Sequence, residues 1–540
     1  MTRTRLRVLG VIVTLGLAGV VFAAQPAGAT ESDSRHVLLI SVDGLHQTDL
    51  AWYTAKHPES ALGKLVSDGV RYTNAMTPFP SDSFPGMVAQ VTGGNPKTTG
   101  VYYDDSYNHA LLPAGTTSCS GAAPGVEVTY FEQLDKNPLS LDAGQGLAGL
   151  PDSILQMTGS ARSLIDPTQL PVDPATCQPV YPDQYLKVNT IFEVARAAGL
   201  RTAWSDKHVA YEILGGKTQG IQDLFAPEIN SNASVVNGQD WTKDNASTQF
   251  YDSFKVQSVI NEINGFDHSG QHYVGTPAIL GLNFQTVSTA EKLPNGGYMA
   301  DGITPSGLLE GALDYVNNKL AAMQAAIARR GLRDSTTIIL SAKHGQSPNT
   351  PSALTRINDG TIQDALNAAW RAAGHSTDLV AFAIDDDGWL MWTTDRSQAA
   401  TNFAKTFLQN YSGTGTDIQG NPKSFSSSGL QPSQIYAGAD AAAFIGVTAG
   451  DPRVPDLIGV AQYGTVYTGG KGKIAEHGGD NPQDRDVALV VSGGEIEGGK
   501  VVTSSVETTQ IAPTILQLLG LNPQALQAVK IEGTKILPGA

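Results

Sequence analysis

The chain has 540 residues, enough for one large core or two to three ordinary domains. Its formal net charge is −16, and loss of a leader carrying Arg3, Arg5 and Arg7 would take it to −19. A balance that acidic excludes a nucleic-acid duplex as the expected partner, because a duplex-binding face is normally basic. A small phosphate-bearing substrate held by local donors stays open.

Residues 1–29 read as a secretory signal, with a basic start, an apolar stretch from Val8 to Ala24 and the small-residue exit Ala27-Gly28-Ala29. The mature protein is therefore expected to be secreted and without a membrane anchor, since no later segment is long and apolar enough to span a bilayer. The run His36-Val37-Leu38-Leu39-Ile40-Ser41-Val42 reads as a buried strand that delivers Asp43 to the carboxyl edge of a parallel sheet, where open α/β sheets bind ligands. A helix over 59–68 and a strand over 69–72 follow. In Pro80-Ser81-Asp82-Ser83-Phe84-Pro85-Gly86 the serine lies between two prolines, ahead of the helix-compatible Met87 to Val91. Ser83 is thus expected at a helix N-terminus, where free N–H groups and the helix dipole favour an anion and ease alkoxide formation.

Residues 102–183 are rich in Gly, Pro and Ser and contain both cysteines, Cys119 and Cys177. In an exported chain these are expected to pair, pinning a long insertion to the core and contributing roughly 4 kcal/mol by loop closure. A helix over 190–198 stops at Gly199 and leads to a strand over 200–206, after which Asp206 and His208 are candidate substrate-binding residues. Pro277 to Asn283 reads as a further strand. The helical spacing over 307–330 ends at Gly331, and the strand Thr336 to Leu340 delivers Lys343-His344-Gly345. Residues 351–470 carry helices at 362–373 and 397–408 and strands at 379–384 and 389–393, and read as a smaller α+β cap. It is inserted between core segments 30–350 and 471–540. A strand over 487–491 and a helix over 506–519, with Pro513 in its first half, close the chain. Strands alternating with helices predict an α/β protein, an α/β/α sandwich with a mostly parallel central sheet.

The order of Asp43, Ser83 before Phe84-Pro85, Val91-Thr92-Gly93, Lys343-His344-Gly345 and Glu476-His477-Gly478-Gly479, closed by Thr508 to Leu516, resembles the alkaline phosphatase superfamily. Within it the likeness is to the type I phosphodiesterases and nucleotide pyrophosphatases, and covers most of 36–105, 190–350 and 470–520. The resemblance implies a Ser or Thr nucleophile and two zinc ions bound by Asp and His. By position, Ser83 matches the nucleophile, Asp43 a metal ligand, His344 the His of an Asp-His-Gly motif and His477 the late metal-binding His.

Three positions depart from that pattern. Where the family has an Asp four residues before a His, this chain has Asn283 and Val287, and the Asp of Asp-His-Gly is Lys343. Val287 cannot coordinate, Asn283 offers only a carbonyl oxygen, and Lys343 brings a cation. The expectation is one divalent ion (Zn, or Mg, Mn or Ca) on Asp43 with Ser83, His344, Asn283 and His477, no second zinc, and Lys343 stabilising developing charge. Tyr103 is expected to wall the pocket and Gln285 to hydrogen-bond the anion. The expected activity is metal-assisted hydrolysis of a small phosphate ester, first a phosphodiester or nucleotide pyrophosphate. The alternatives are a monoester, phosphonate or sulfate ester hydrolase, or a binding protein that has kept the fold without turnover. The sequence indicates no oligomeric state.

Overall fold

Seven consecutive buried residues, His36–Val42, form β1 near the middle of an eight-stranded sheet. The computed structural model describes residues 35–130, 134–232, 238–468 and 472–540, so the expected signal peptide lies outside the described residues. The remaining strands of the sheet are β2 (Gly69–Tyr72), β3 (Ala203–Ser205), β4 (Asp223–Phe225), β5 (Ile279–Phe284), β6 (Thr336–Ser341), β7 (Leu489–Gly493) and β8 (Lys500–Val502). Their spatial order is β8-β2-β7-β6-β1-β5-β3-β4. Among them β7 alone runs against its neighbours; every other pair is parallel.

Strand residues alternate between the two faces, and both faces are apolar, as a parallel sheet covered by helices requires. Val37 and Leu39 of β1 join one core with α1 (Ser83–Thr92), α2 (Ile191–Ala197) and the C-terminal helix Ile511–Leu518. Leu38, Ile40 and Val42 join a second core with α3 (Asn245–Ile263) and α4 (Gly307–Arg329). The α/β/α sandwich with a mostly parallel sheet is therefore the observed fold.

Local differences from the sequence expectation have local causes. Helix α3 was not anticipated, because its 19 residues are mostly polar and its buried stripe of Tyr251, Val256, Val259 and Ile263 is sparse. The helix expected over 506–519 begins only at Ile511. Before it, Val506–Glu507 pairs with Ala75–Met76, and a capping box between Glu507 and Gln510 sets a single 3₁₀ turn. The closing strand lies at 489–493, two residues later than expected.

Between β6 and β7 the chain builds two four-stranded sheets, flanked by helices Asp359–Ala372 and Gln398–Asn410. Trp370, Trp389, Leu408 and Leu457 fill a core between them that is separate from the two sheet cores. The turn after strand Val380–Asp385 reaches back to the main sheet, where Tyr103 Oη donates to Asp386 Oδ2 at 2.7 Å and Asp387 N donates to His477 O at 3.0 Å. Residues 102–183 carry two small hairpins, and a disulfide joins Cys119 to Cys177. Among the described residues no helix is long and apolar enough to cross a membrane.

Candidate active site

Register and alternation assemble the site. Ser41 of β1 pairs with Asn283 of β5 on one side and with Ser341 of β6 on the other. Continuing the alternation, Asp43, Asn283 and Lys343 share parity with Val37, Leu39, Ile279 and Ile339, which face the core that holds α1. Three polar side chains from adjacent strand ends therefore emerge on the face where α1 begins. Backbone bonds lock the three exits together: Asp43 N donates to Phe284 O at 3.0 Å, and Gly44 N to His344 O at 3.1 Å.

Helix α1 is buried along its whole length and is tied to the exit of β6. Thr77 Oγ1 donates to Lys343 O at 2.6 Å, and Gln90 Nε2 to Ala342 O at 2.9 Å. Gly86 makes the close approach possible, because a Cβ there would lie 2.1 Å from the Lys343 carbonyl oxygen. Asp82 caps the helix by accepting from Phe84 N at 3.0 Å, which leaves Ser83 in the first turn.

Ser83 Oγ lies 3.2 Å from His344 Nε2 and 3.3 Å from Lys207 Nζ. His344 Nδ1 faces the Gly345 carbonyl oxygen at 2.9 Å, an acceptor only, so the ring proton sits on Nδ1 and Nε2 accepts from the serine hydroxyl. Burial pushes the His344 imidazole down to about 3, against the pull of Asp43, and keeps it neutral at ordinary pH.

Asp43 accepts two amide hydrogen bonds and faces two ammonium groups. Asn283 Nδ2 donates to its Oδ1 at 2.7 Å and Gln285 Nε2 donates to its Oδ2. Lys207 Nζ and Lys343 Nζ stand 3.8 and 3.9 Å from the same Oδ2. Burial alone would raise the Asp43 carboxyl, but Lys343 and Lys207 with the Gln285 amide hold it below the usual carboxylate range. Lys343 is fixed in turn by Asp206 Oδ1 at 3.2 Å and by the Tyr211 hydroxyl at 2.7 Å.

Groups with the make-up to hold a divalent ion do occur among the described residues, namely His46 with Asp49 and Glu291, and Asp386 with Glu476 and His477. Neither includes Asp43 or Ser83. A divalent ion needs lone pairs on deprotonated donors. Those of Asp43 face two amide NH₂ groups and two ammonium groups, the Asn283 carbonyl oxygen accepts from Gln285, and Val287 is buried in the apolar core. The residues around Asp43 do not fit the zinc pair that the family resemblance implies, nor a single ion on that carboxylate.

Of the residues anticipated from sequence, the structure brings Asp43, Ser83, Asn283, Gln285, Lys343 and His344 together. His477 stacks on His344 with ring centroids 3.9 Å apart, and its Nδ1 is 3.5 Å from Asp82 Oδ1. Tyr103 spans the seam between the main sheet and the inserted sheets. Asp206 serves Lys343 and also accepts from Trp204 Nε1 at 2.8 Å. His208 is buried with its Nδ1 2.9 Å from Glu228 Oε1. The residue between them, Lys207, is the one that reaches Ser83. It belongs to the strand-exit run Asp206-Lys207-His208, where successive side chains point opposite ways, so Lys207 points away from its two neighbours.

A serine at a helix N-terminus over the carboxyl ends of a mostly parallel sheet defines an alkaline phosphatase-like α/β protein. The sequence model of the type I phosphodiesterase / nucleotide pyrophosphatase family matches residues 37–482, and the chain belongs to that family. It is accordingly a hydrolase of the phosphodiesterase/pyrophosphatase type. Among solved structures it is similar to murine ectonucleotide pyrophosphatase / phosphodiesterase 5, with TM-score 0.54 and 13% identity over 91% of this chain and 96% of that one. The human counterpart gives 0.53 and 12% over 90% and 95%. Alkaline phosphatase PafA gives 0.57 and 13% over 91% and 96%. At such identities the likeness is one of fold. No curated protein matches the chain.

Proposed function

We propose that this chain is an exported hydrolase of small phosphate esters, phosphodiester or nucleotide pyrophosphate bonds first, with Ser83 as the nucleophile. The observation that carries the reading is the Ser83 hydroxyl at the start of α1, held between a neutral imidazole acceptor and an ammonium. As Oγ attacks phosphorus in line, its proton passes to His344 Nε2 and the bond to the leaving oxygen breaks. That oxygen departs on the far side of phosphorus and takes its proton from solvent water. A water then attacks from that far side and loses its proton to solvent, while the proton held on His344 Nε2 returns to Oγ as the phosphorus–serine bond breaks. Lys343 holds Asp43 and Asp206, while Asn283 and Gln285 orient Asp43, so the sequence expectation of Asn283 as a metal ligand and Gln285 as an anion donor gives way to a positioning role for both. Tyr103 lines the seam with residues 351–470, which we assign as a cap on the core. Export rests on the signal-like residues 1–29 and the disulfide between Cys119 and Cys177. The single divalent ion expected on Asp43 has no part in this reading, because two amide donors and two ammonium groups face that carboxylate.

Turnover of bis(p-nitrophenyl) phosphate by wild type and Ser83→Ala tests it, together with mass analysis of acid-quenched wild type. The variant is expected to lose on the order of 10³-fold or more in kcat, and the quenched enzyme to carry a phosphoryl group on Ser83. Undiminished turnover in the variant overturns the nucleophile. Wild type that binds phosphate esters without cleaving any diester, pyrophosphate, monoester, phosphonate or sulfate favours the binding-protein alternative.

A further inference from the structure

We propose that Lys207 and Lys343 supply, at Ser83 and Asp43, the positive charge that divalent ions supply in the family this chain resembles, so that Lys207 is a catalytic residue and the centre works without a divalent ion. The inference rests on the phosphoester hydrolase reading and deepens it.

Three observations converge. The first is the pattern of replacement: the positions expected to carry acid, His and acid ligands carry Asn283, Val287 and Lys343, while Asp43, Ser83 and His344 are retained. Loss of function alone would not select proton donors, yet two of the three replacements are donors and both face Asp43. The second is charge balance. Asp43, Asp206 and Lys343 are buried, Lys207 lies against them with its side chain 15% exposed, and the formal charges of the four cancel. A carboxylate at 343 would leave that group at −2, matched to a dication; with lysine there, an added dication meets two ammonium groups for each of which only one carboxylate is present. The third is aim. Lys207 Nζ contacts the nucleophile oxygen at 3.3 Å and is 3.8 Å from Asp43 Oδ2, so one ammonium bridges the nucleophile and the anion beneath it.

In the reaction, Lys207 donates a hydrogen bond to Ser83 Oγ as negative charge grows on it, and then to a non-bridging phosphate oxygen once Oγ is bonded to phosphorus. It neither gains nor loses a proton, because the transferred proton travels through His344. Lys343 stays on Asp43 and Asp206 and is a positioning residue.

The test uses the full-length protein, stripped with EDTA and assayed on bis(p-nitrophenyl) phosphate in chelator and after addition of Zn, Mg, Mn or Ca. Zinc stoichiometry is measured in wild type and Asp43→Asn, and binding of inorganic phosphate to chelated wild type, Lys207→Met and Lys207→Arg. Turnover is expected to agree within about two-fold with and without metal. Lys207→Met is expected to lose at least about 100-fold in kcat with KM changed only a few-fold, Lys207→Arg to recover part of it, and phosphate to bind at least about ten-fold more weakly to the Met variant. Should Lys207→Met fail to fold, the chelated wild type and Lys207→Arg decide. Activity abolished by chelation and restored by a divalent ion overturns the inference and leaves the Ser83 assignment standing. A zinc equivalent present in wild type and lost in Asp43→Asn also overturns it. If no ester is turned over under any condition, the hydrolase reading falls, and the zinc count and the Lys207-dependent phosphate binding still decide this inference.

Discussion

Two buried charge clusters leave the same strand three residues apart, and they are built inversely. At Asp43 an anion is surrounded by ammonium and amide donors. At His46 an imidazole is surrounded by carboxyl groups: Nδ1 is 2.9 Å from Asp49 Oδ2 and 3.3 Å from Glu291 Oε1, while Nε2 is 2.9 Å from the Gln346 carbonyl oxygen and 3.1 Å from Gln346 N. The Tyr298 hydroxyl and the Gln346 amide complete the second cluster. Burial opposes charge on the His46 ring, but Glu291 and Asp49 outweigh it and raise the imidazole well above its ordinary value. Both clusters contain residue types that bind metals, so composition does not separate them. What separates them is that the Asp43 cluster ends on the Ser83 hydroxyl, between an imidazole and an ammonium, whereas the donors of the His46 cluster are used on one another.

The sharpest way to break the comparison is to remove the central counter-charge from each. Lys343→Met takes the ammonium from Asp43 and Asp206, both fully buried, and is expected to cost about 3–5 kcal/mol, as for a buried ion pair that loses one partner. Urea unfolding at pH 7 measures it; an unchanged midpoint would mean that these carboxylates carry no net charge in the fold. Turnover is expected to fall with it, because Asp43 loses a holder.

The reactive cluster was more legible in the sequence than the closed one, and the reason is physical. Continuous apolar runs mark β1 and β6, so a polar residue directly after each stands at a sheet edge, and the flanking prolines of Ser83 mark the start of a helix. Those cues placed Asp43, Ser83, Lys343 and His344. Lys207 shares the strand-exit cue with Asp206 and His208, but an ammonium in a loop also reads as solvated, and only the packing of β3 beside β5 turns it toward Ser83. His46 was silent for the opposite reason. Its partners Glu291, Tyr298 and Gln346 lie some 250–300 positions away along the chain, and no local spacing records that they meet. Whether an ion fits at Asp43 is not legible from ligand identity, which is local, because the donors that face this carboxylate come from distant segments of the chain.

His46→Gln is expected to cost less than Lys343→Met, about 2–3 kcal/mol, and to leave turnover within about two-fold, since no member of its cluster touches Ser83. The smaller cost follows from Glu291: burial already pushes its carboxyl up to about 7, so near neutrality a proton can replace the lost imidazolium charge. That escape also sets the pH test, because His46 and Glu291 must be silenced together. In His46→Gln/Glu291→Gln the cluster has lost both of its groups that are shifted toward or beyond neutrality. The folded His46 value lies above its unfolded value of 6.5, so its contribution is fully present below that pH and is lost as pH rises through the folded value. His46 and Glu291 both have raised folded values, so the stability difference between wild type and the double variant is expected to shrink as pH rises from 6 to 8, by at most about 2.7 kcal/mol per pH unit where both titrate, in urea titrations at pH 6, 7 and 8. A difference that grows with pH would mean that the ring is neutral in the fold, and the two clusters would no longer be inverses.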